Sequence, residues 1–583
     1  MGTECRQEAD AKAPSSVNTE YVLDMQRKLY RWSRSNPTQV FDDLFNLVCD
    51  RRSLQYAWQM LCRNRGSNTP GVDMLTRRRI EERTGGVEAF LNHIREQLRR
   101  GTYTPKPVRQ KLIPKPGKPG KFRPLGIPTL ADRLVQMALK NVLEPIFEAD
   151  FYPTSYGFRR GRSTLDALTM VQYQTRASRH GPSKIAWVIE GDIKGCFDNI
   201  DHHMLMERVR KRIGDRKVLL LILAFLKAGI MAEGSLRHPV AGTPQGGIVS
   251  PLLANVLLTA LDERYGRWTP RPAEAPKNAG MRRVVDRKKG LPTFFMVRYA
   301  DDFVILVCGT REEAEVEKDR LAAFLREQLH LELSVEKTLI TPLEEGFDFL
   351  GYRVVREPAH RDRRPVVKLR IPKGKLQMLR DRIRERTCRA TTSVTLANFL
   401  KTLAPLIAGW RNYYRYATGA YDEFSRLDRW MLYRIHRWLR RKHLKATNRE
   451  LGRRYSRRVS ATRRTWGEGE VILQRFCQSG TAEYCWRGFH ISNGWNDEIE
   501  DVRCNPDAAR PNSAYECLAE EVRSHQHDNR RAHGEPDAGK LASPVRREAP
   551  GNLLPQGSKA PGAYPTLVGG HEQQTRLAEE LGL

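Results

Sequence analysis

The stretch FFMVRYADDFVILVC, residues 294–308, decides the fold of this chain. It contains two mostly apolar runs, Phe294–Arg298 and Phe303–Cys308, on either side of the segment Ala300-Asp301-Asp302. Apolar runs that flank a short acidic turn predict a β-hairpin, although no glycine supports this turn. The sequence therefore places two carboxylates at the tip of a buried hairpin.

A second apolar run ends in a carboxylate in the same way. The β-type run Ile185–Ile189 leads into Gly191-Asp192-Ile193. If this strand lies beside the hairpin, Asp192 comes close to Asp301, and the two carboxylates then need a cation to stay ionised. Magnesium suits oxygen ligands, and two ions together activate a hydroxyl and stabilise a departing pyrophosphate oxygen. Taken alone, the Asp301-Asp302 pair is also what an ordinary turn contains.

The charge of the chain points to a polyanionic partner. Its 583 residues include 100 Lys and Arg against 68 Asp and Glu, a net charge of +32, and 40% of them are hydrophobic. Residues 361–470 alone hold 30 Lys and Arg and 9 Asp and Glu. Such an excess favours nucleic-acid contact over a solvated surface, and the apolar fraction is large enough for several folded domains.

Membrane insertion and secretion are not expected. The longest apolar run, Val218–Leu226, lies between two lysines and is far shorter than a membrane span. The 10 cysteines show no regular spacing, which fits a reducing compartment, so a cytoplasmic location is predicted.

Helical periodicity places further elements. A helix is predicted from Pro251 to Tyr265, and a surface loop over the Pro-, Arg- and Lys-rich residues 268–290. Within 422–443, apolar residues recur at three- and four-residue steps and form one stripe, with arginines mostly on other faces.

The two acidic motifs resemble those of a known family. Tyr299-Ala300-Asp301-Asp302 is similar to the Tyr-x-Asp-Asp box of reverse transcriptases, and Gly191-Asp192 through Ile200 to their first catalytic-aspartate motif. Gly409-Trp410-Arg411-Asn412-Tyr413-Tyr414 resembles the maturase region of group II intron proteins. Further blocks resemble this family and occur in its order: 68–73, 121–128, 155–163, 242–252, 333–338 and 347–352. The chain is thus identified as similar to bacterial-type group II intron reverse transcriptases with maturase function.

The resemblance implies an α+β fold arranged as a right-hand polymerase, with fingers, a palm with an antiparallel sheet, and an α-helical thumb. The expected divisions are an N-terminal segment at 1–44, fingers and palm at 45–360, the basic thumb and maturase domain at 361–470, a DNA-binding extension at 471–500 and a disordered tail at 501–583. The expected function is RNA-directed DNA synthesis by two-metal nucleotidyl transfer, with binding of intron RNA that promotes splicing and mobility (retrohoming).

The resemblance also assigns roles to individual residues. Asp192, Asp301 and Asp302, with the backbone carbonyl of Ile193, are expected to hold two Mg²⁺ ions. The expected nucleotide-binding residues are Lys115, Arg123, Phe197, Gln245 and Lys337. The expected RNA-binding residues are Arg411, Arg415, Lys442 and Lys445.

Three of these assignments keep an alternative. Lys118 or Lys121 fits the triphosphate contact as well as Lys115, because the turn between them is longer than in the family pattern. Phe197 is expected to exclude a ribose 2′-hydroxyl, but simple packing also explains an aromatic ring there. Lys337 is expected to neutralise or protonate pyrophosphate, and its alternative is an ordinary surface lysine.

The late cysteines bear on the part of the chain beyond the maturase region. Many relatives end in an endonuclease with paired Cys-x-x-Cys metal sites, whereas Cys477, Cys485, Cys504 and Cys517 do not pair in this way. No zinc and no endonuclease are therefore expected, and priming would use an existing DNA 3′ end. The expected partners are the intron RNA, an RNA template with a DNA primer, target DNA and dNTPs, without a membrane.

Other functions stay open at this point. A splicing maturase that binds RNA without polymerase activity is the first alternative. An RNA-copying RNA polymerase and a basic scaffold protein are the others, and the choice of nucleotide or the absence of synthesis separates them.

Overall fold

A computed structural model describes residues 16–114, 120, 122–176, 183–232, 235–237, 242, 246–358, 365–460, 463–484 and 486–495. Several predictions lie outside these residues: the roles of Lys115, Lys118, Lys121 and Gln245, and the disordered tail at 501–583.

The chain divides into two compact units. The first contains residues up to Pro372 together with a later segment that begins at Glu483, and the second contains 373–482. The second unit is therefore inserted in the chain between two parts of the first.

The first unit combines helices and antiparallel sheets. Its helices are α1 (Ser16–Ser35), α2 (Phe45–Val48), α3 (Arg51–Cys62), α4 (Arg77–Glu81), α5 (Gly86–Arg100), α6 (Leu130–Glu148), α7 (Thr164–Thr175), α8 (Cys196–Asn199), α9 (His202–Arg210), α10 (Arg216–Lys227), α11 (Ser250–Arg264), α12 (Pro276–Lys288) and α13 (Arg311–Leu329). Its strands are β1 (Val108–Pro114), β2 (Phe122–Ile127), β3 (Trp187–Asp192), β4 (Ile230–Ala232), β5 (Ser235–Arg237), β6 (Thr293–Tyr299), β7 (Asp302–Cys308), β8 (Leu339–Pro342), β9 (Phe347–Phe349), β10 (Tyr352–Pro358) and β11 (Pro365–Arg370).

The predicted hairpin forms the centre of this unit. β6 and β7 pair antiparallel, with Tyr299 opposite Asp302, in a sheet of order β6-β7-β3-β8. Nearly every residue of both hairpin strands is buried, as expected of strands in a sheet that is covered on both faces. The hairpin prediction is confirmed, and the strand predicted from Ile185 is β3.

A layer of helices supplies most of the hydrophobic core around the sheet. α6 is buried along most of its length, and its first turn is capped by the Thr129 side chain. α11 is buried from Ser250 to Asp262, which confirms the helix predicted at 251–265. α1 and α3 pack on α6, and α13 packs on β3.

One local prediction was wrong. Residues 276–288, expected within a surface loop, form α12. Pro276 occupies the first turn, where its missing N–H costs no hydrogen bond. Asp286 is buried and accepts hydrogen bonds from the side chains of Arg267 and Trp268, which ties the helix to the end of α11. A tertiary ion pair of this kind leaves no periodic signal in the sequence.

Two further sheets complete the first unit. β1 and β2 form an antiparallel hairpin, and β4 joins it in parallel in a sheet of order β2-β1-β4-β5. β9, β10 and β11 form an antiparallel sheet of order β11-β10-β9. Gln172 of α7 donates a hydrogen bond to the Val367 carbonyl and so links α7 to β11.

The second unit is helical with a small sheet. It contains α14 (Lys373–Arg386), α15 (Leu396–Tyr414), α16 (Ala420–Lys442) and α17 (Asn448–Tyr455), and then β12 (Ser456–Arg458), β13 (Arg464–Glu468) and β14 (Val471–Ile472). The predicted apolar stripe of α16 is fully buried at Phe424, Leu427, Met431, Ile435 and Trp438. The stripe prediction is thus confirmed.

Residues 483–495, called here the return segment, rejoin the first unit. Trp486 stacks on Tyr173 of α7 with ring centroids 3.6 Å apart. Trp495 is buried and donates a hydrogen bond to Gln26 of α1. This segment has no regular secondary structure in the residues described, and aromatic anchors hold it instead.

Among the helices of the described residues, none is both long enough and apolar enough to cross a membrane.

Candidate active site

Three aspartates come together at one end of the central sheet. Asp192 is the last residue of β3 and is the register partner of Asp302, the first residue of β7. Asp301 precedes Asp302 in the hairpin turn, and all three side chains are partly buried. Residues far apart in sequence thus meet because β3 pairs with β7.

The electrostatics of this cluster oppose full ionisation. Burial, together with repulsion from Asp192 and Asp301, raises the pKa of Asp302 to about 7. Burial and Asp192 also raise the pKa of Asp301, whereas Arg123 and Lys337 act to lower it. The cluster therefore concentrates negative charge that a cation would stabilise.

One cation already lies in the cluster. Lys337 Nζ is 2.6 Å from Asp192 Oδ2. The segment that carries it is fixed by backbone pairing, since Ser334 N–H donates to the Asp192 carbonyl and Ile193 bridges to Leu333. Lys337 is thus placed at the carboxylates, and its role toward pyrophosphate stays a prediction.

A buried ion pair fixes the shape of the hairpin turn. Arg298 and Asp262 are both fully buried, and Arg298 Nη2 lies 2.5 Å from Asp262 Oδ2. Arg298 Nη1 also donates to the Ala300 carbonyl and to Asn255 Oδ1, each at 3.0 Å. The Asn255 amide in turn donates to the carbonyl of Gly157. These residues position the aspartates.

This network was not predicted from the sequence. Its signal is an arginine that interrupts an otherwise apolar strand, and an asparagine and an aspartate, Asn255 and Asp262, on one face of a buried helix. Buried charges without partners are strongly unfavourable, so such residues in apolar elements predict one another as partners.

Close backbone contact also shapes the turn. Ala300 has a left-handed backbone with φ of 58°. The segment at Gly157 passes so near the Tyr299–Ala300 backbone that a Cβ at 157 would overlap it. Gly157 is therefore required by packing against the turn.

Two aromatic residues lie close in sequence to the parts of the site: Phe197 follows Asp192, and Phe158 follows Gly157, which packs on the hairpin turn. Phe197 of α8 is partly buried and contacts Phe158 edge-to-face, with ring centroids 6.2 Å apart and planes at 88°. Phe158 is 52% exposed and has φ of 58°, a strained backbone for a residue other than glycine. Phe158 was not predicted as a site residue, and its exposure together with this strain makes it a candidate for one.

Of the other predicted nucleotide-binding residues, the structure describes Arg123 but not Lys115 or Gln245. Arg123 is exposed on β2, opposite Ile113 of β1, and is close enough to Asp301 to affect its pKa. Lys115 and Gln245 lie outside the described residues. Next to Gln245, Gly246 has φ of 123° and abuts the Gly126 carbonyl of β2, where no side chain would fit.

Across the described residues, no set of three or more His, Cys, Asp or Glu side chains is arranged to hold a metal ion. Asp192 instead pairs with Lys337.

The predicted RNA-binding residues of the second unit differ in their surroundings. Arg411 donates to the Arg475 carbonyl, and Arg415 lies over the Tyr416 ring at 5.4 Å. Lys442 donates to the carbonyls of Thr392 and Val394 at 2.7 and 2.9 Å. Lys445 is exposed to solvent. The four cations therefore differ in how far contacts within the protein already engage them.

Comparison with protein families gives two matches along the chain. Residues 113–354 match the reverse transcriptase (RNA-dependent DNA polymerase) family, and residues 376–456 match the maturase-specific domain of group II introns. The first match contains all three aspartates, and the second contains most of the second unit.

Curated relatives agree with these matches. Protein YkfC of Escherichia coli K12 is 37% identical over 345 residues, covering 58% of this chain and 89% of YkfC. The group II intron-encoded protein LtrA of Lactococcus lactis is 35% identical over 397 residues, covering 60% of this chain and 64% of LtrA. A putative COX1/OXI3 intron 1 protein of Saccharomyces cerevisiae is 31% identical over 358 residues, covering 56% and 41%. The chain thus spans less than two thirds of the last two.

The aspartates at the tip of the sheet and the matched domain define a polymerase of the reverse transcriptase class. The maturase-specific domain that follows the reverse transcriptase domain in the chain identifies the family within this class. The chain belongs to the group II intron-encoded reverse transcriptases, in which a reverse transcriptase domain is joined to a maturase domain. Reverse transcriptases use divalent metal ions.

Proposed function

We propose that Asp192, Asp301 and Asp302 are the catalytic residues with which this protein copies an RNA template into DNA, using dNTPs and a DNA primer. The observation that carries the proposal is the pairing of Asp192 with Asp302 across β3 and β7, directly beside Asp301. The cations Arg123 and Lys337 lie within electrostatic range of Asp301.

The donor set fits divalent cations. The side chains are oxygen ligands whose mutual repulsion and burial disfavour ionisation, and Asp192 already attracts an ammonium group. We propose that the three aspartates and the Ile193 carbonyl hold two Mg²⁺ ions. When bound, such ions activate the primer 3′-hydroxyl and stabilise the leaving pyrophosphate.

The chain's own residues orient the nucleotide. Arg123 provides a planar guanidinium for the triphosphate. Lys115, or Lys118 or Lys121, and Gln245 complete the contact. Lys337 neutralises charge that develops on the pyrophosphate. Phe197, supported edge-on by Phe158, closes the space where a ribose 2′-hydroxyl would lie.

The domain roles derive from these assignments. The β1–β2 hairpin and the surrounding helices act as fingers, the central sheet as the palm and the second unit as the thumb of a right-hand polymerase, with divisions near 45, 360, 470 and 500. The second unit also binds the intron RNA, through Arg411, Arg415, Lys445 and, with its carbonyl contacts rearranged, Lys442. Binding the folded RNA favours its splicing-competent form by mass action. Retrohoming into target DNA then uses an existing 3′ end as primer.

Primer extension on an RNA template tests the catalytic assignment. The double variant Asp301→Ala, Asp302→Ala is expected to lose Mg²⁺-dependent extension by several orders of magnitude while retaining intron RNA binding. Asp348→Ala, which removes an exposed acid elsewhere in the unit, is the matched control and should extend normally. Full extension by the double variant would refute the assignment, and absence of extension by the native chain would favour a splicing factor without polymerase activity.

Nucleotide choice tests Phe197 separately. Phe197→Ala is expected to lower discrimination against NTPs by roughly 10–200-fold, the range that exclusion of one small group supplies. Unchanged discrimination in kcat/KM for dNTPs over NTPs would assign Phe197 to packing alone.

A further inference from the structure

The first unit contains a cavity, and none of the residues that line it belongs to the proposed polymerase site. It is enclosed by α1, the segment just after α6, and the return segment, and its empty volume is about 430 Å³ including its open mouth. Arg34, Arg159, Arg162, Glu148, His490 and Asn493 contribute its polar lining.

The charge of this lining is not balanced. Arg159 is neutralised by Glu148, with Arg159 Nη2 at 2.7 Å from Glu148 Oε1 and both side chains 3% exposed. Within the described residues, no carboxylate lies within ion-pair distance of Arg34 or Arg162. Arg34 donates to the Tyr30 hydroxyl, and Arg162 donates to the Pro153 carbonyl at 2.9 Å. Neither guanidinium group therefore has a carboxylate in direct contact, although Glu148 and Asp166 are close enough to act against the lowering of the Arg162 pKa.

The positive charge of these arginines lowers the pKa of neighbouring basic groups. Burial and the charge of Arg159 lower the pKa of Arg162 to about 10. Burial, then Arg34 and Arg162, lower the pKa of His490. His490 is accordingly neutral at pH 7, and its ring can donate one N–H into the cavity without adding to the repulsion.

The return segment forms one wall of the cavity. Arg487 donates to the Gly161 carbonyl at 2.8 Å, and Tyr484 donates to Asp166 at 2.8 Å. Gly161 meets Ser492 so closely that a Cβ at 161 would overlap the Ser492 carbonyl. The backbone next to Arg162 is thus held in place by residues from the far end of the described chain.

Arg162 is partly buried, and its side-chain contacts are the Pro153 carbonyl and the face of the Tyr156 ring, 5.5 Å from Arg162 Cζ. Such a cation is incompletely compensated, because neutral partners do not replace the water or counterion it has lost. An anion with several oxygen atoms would accept hydrogen bonds from both guanidinium groups and from His490 at once. Guanidinium groups match phosphate oxygens in a forked geometry, and such charge-assisted bonds are the stronger class.

We propose that this cavity binds a phosphate group, held by Arg34 and Arg162 and enclosed by the return segment. The group belongs either to the backbone of a bound RNA or to a free anion such as inorganic phosphate or pyrophosphate. The proposal does not depend on polymerase activity, since it uses none of the aspartates.

The test uses the full chain in EDTA, so that metal-dependent binding at the aspartates does not contribute. Arg34→Glu reverses one cavity charge at an exposed position of α1. Arg31→Glu makes the same change one turn earlier, at an exposed residue outside the cavity, and is the matched control. Binding of inorganic phosphate and of pyrophosphate is measured by calorimetry, and binding of a short unstructured RNA at several salt concentrations.

For a free anion, the native chain and Arg31→Glu bind phosphate or pyrophosphate, and Arg34→Glu binds about tenfold or more weakly. For an RNA phosphate, free anions do not bind, and Arg34→Glu flattens the dependence of log K on log salt by about 0.7 per lost contact, whereas Arg31→Glu does so less. Equal effects of the two variants, or no effect of either, would overturn the proposal. Repeating the measurement with Asp301→Ala, Asp302→Ala keeps its failure distinct from a failure of the polymerase assignment.

Discussion

Arg298 connects the chemistry of the site to the interior of the protein. Its guanidinium lies in the core, pairs with Asp262 and holds the carbonyl of Ala300 in the aspartate turn. Buried ion pairs contribute little net stability compared with apolar packing, but they specify one geometry when every polar atom is satisfied. In this protein the geometry specified is that of the turn that carries Asp301 and Asp302.

Replacement of Arg298 is expected to be severe. Arg298→Met leaves Asp262 buried without its partner and should reduce the free energy of unfolding by about 3–5 kcal/mol. Urea denaturation measures this loss. Arg311→Met removes an exposed pair with Glu315 and should stay within about 0.5 kcal/mol of the native chain. A loss for Arg298→Met no larger than this control would contradict the role assigned to the ion pair.

The ionised side chain of Asp302 is expected to lower the free energy of unfolding, although the proposed activity requires it. Its pKa is about 7 in the folded protein and about 3.9 in an unfolded chain. Between these values the unfolded state has lost the proton that the folded state retains, so this group lowers stability as pH rises, and its penalty is complete above about pH 7. In EDTA at pH 8, Asp302→Asn should therefore raise the free energy of unfolding by about 1–3 kcal/mol while abolishing extension.

Denaturation at two pH values checks the sign of this effect. At pH 4 the native Asp302 is protonated in the folded state, and the gain from Asp302→Asn should largely disappear. An equal gain at pH 4 and pH 8 would mean that ionisation is not its cause.

At the scale of elements, the return segment ties the far end of the described chain to α1 and α7. Its contacts include aromatic stacking, single hydrogen bonds and an ion pair between Arg487 and Asp166. It has no strand or helix of its own in the described residues. Because the second unit lies between two parts of the first, this segment gives the second unit two covalent connections to the first rather than one.

Trp486→Ala is expected to loosen the return segment. The lost stacking on Tyr173 and the partial burial of the indole should together reduce the free energy of unfolding by about 1–3 kcal/mol. Hydrogen exchange should then accelerate in α7 and in residues 486–495. Trp32→Ala, at a 51% exposed position of α1, should change stability by less than about 0.5 kcal/mol. Unchanged exchange in α7 would show that the segment does not support that helix.

For the whole molecule, the uneven charge predicts binding that depends strongly on salt. The residues between 361 and 470 carry most of the net charge, and phosphate contacts release counterions in proportion to their number. The structure separates cations used internally from cations that face solvent. Lys442 binds two backbone carbonyls, whereas Lys445 is exposed.

This distinction predicts different effects on stability for two lysines that are both proposed to bind RNA. Lys445→Ala should weaken RNA binding and reduce the salt slope by about 0.7–0.9, without changing stability. Lys442→Ala should lower the free energy of unfolding by about 1–3 kcal/mol, because two carbonyls lose a charged donor. Salt titrations of RNA binding and thermal unfolding of both variants measure this. An unchanged stability in Lys442→Ala would show that its carbonyl contacts are dispensable.

Local patterns determined the identity of the central elements. The apolar runs around Asp301-Asp302 predicted the hairpin, the three- and four-residue spacing predicted α16, and the ordered motifs predicted the family. These patterns can be read from the sequence because a hairpin and an amphipathic helix depend on residues that are close together in the chain.

Tertiary structure alone decided the environment of those elements. The register of β3 against β7, the Arg298–Asp262 pair, the helix at 276–288 and the closure of the return segment each join residues distant in sequence. The structural role of such a residue depends on a partner elsewhere in the chain. This holds for a buried charge, a close glycine contact and a stacked tryptophan, and no local pattern specifies which residue the partner is. The sequence by itself therefore predicted which acids form the candidate site, and only the fold decided how they are held and which cations surround them.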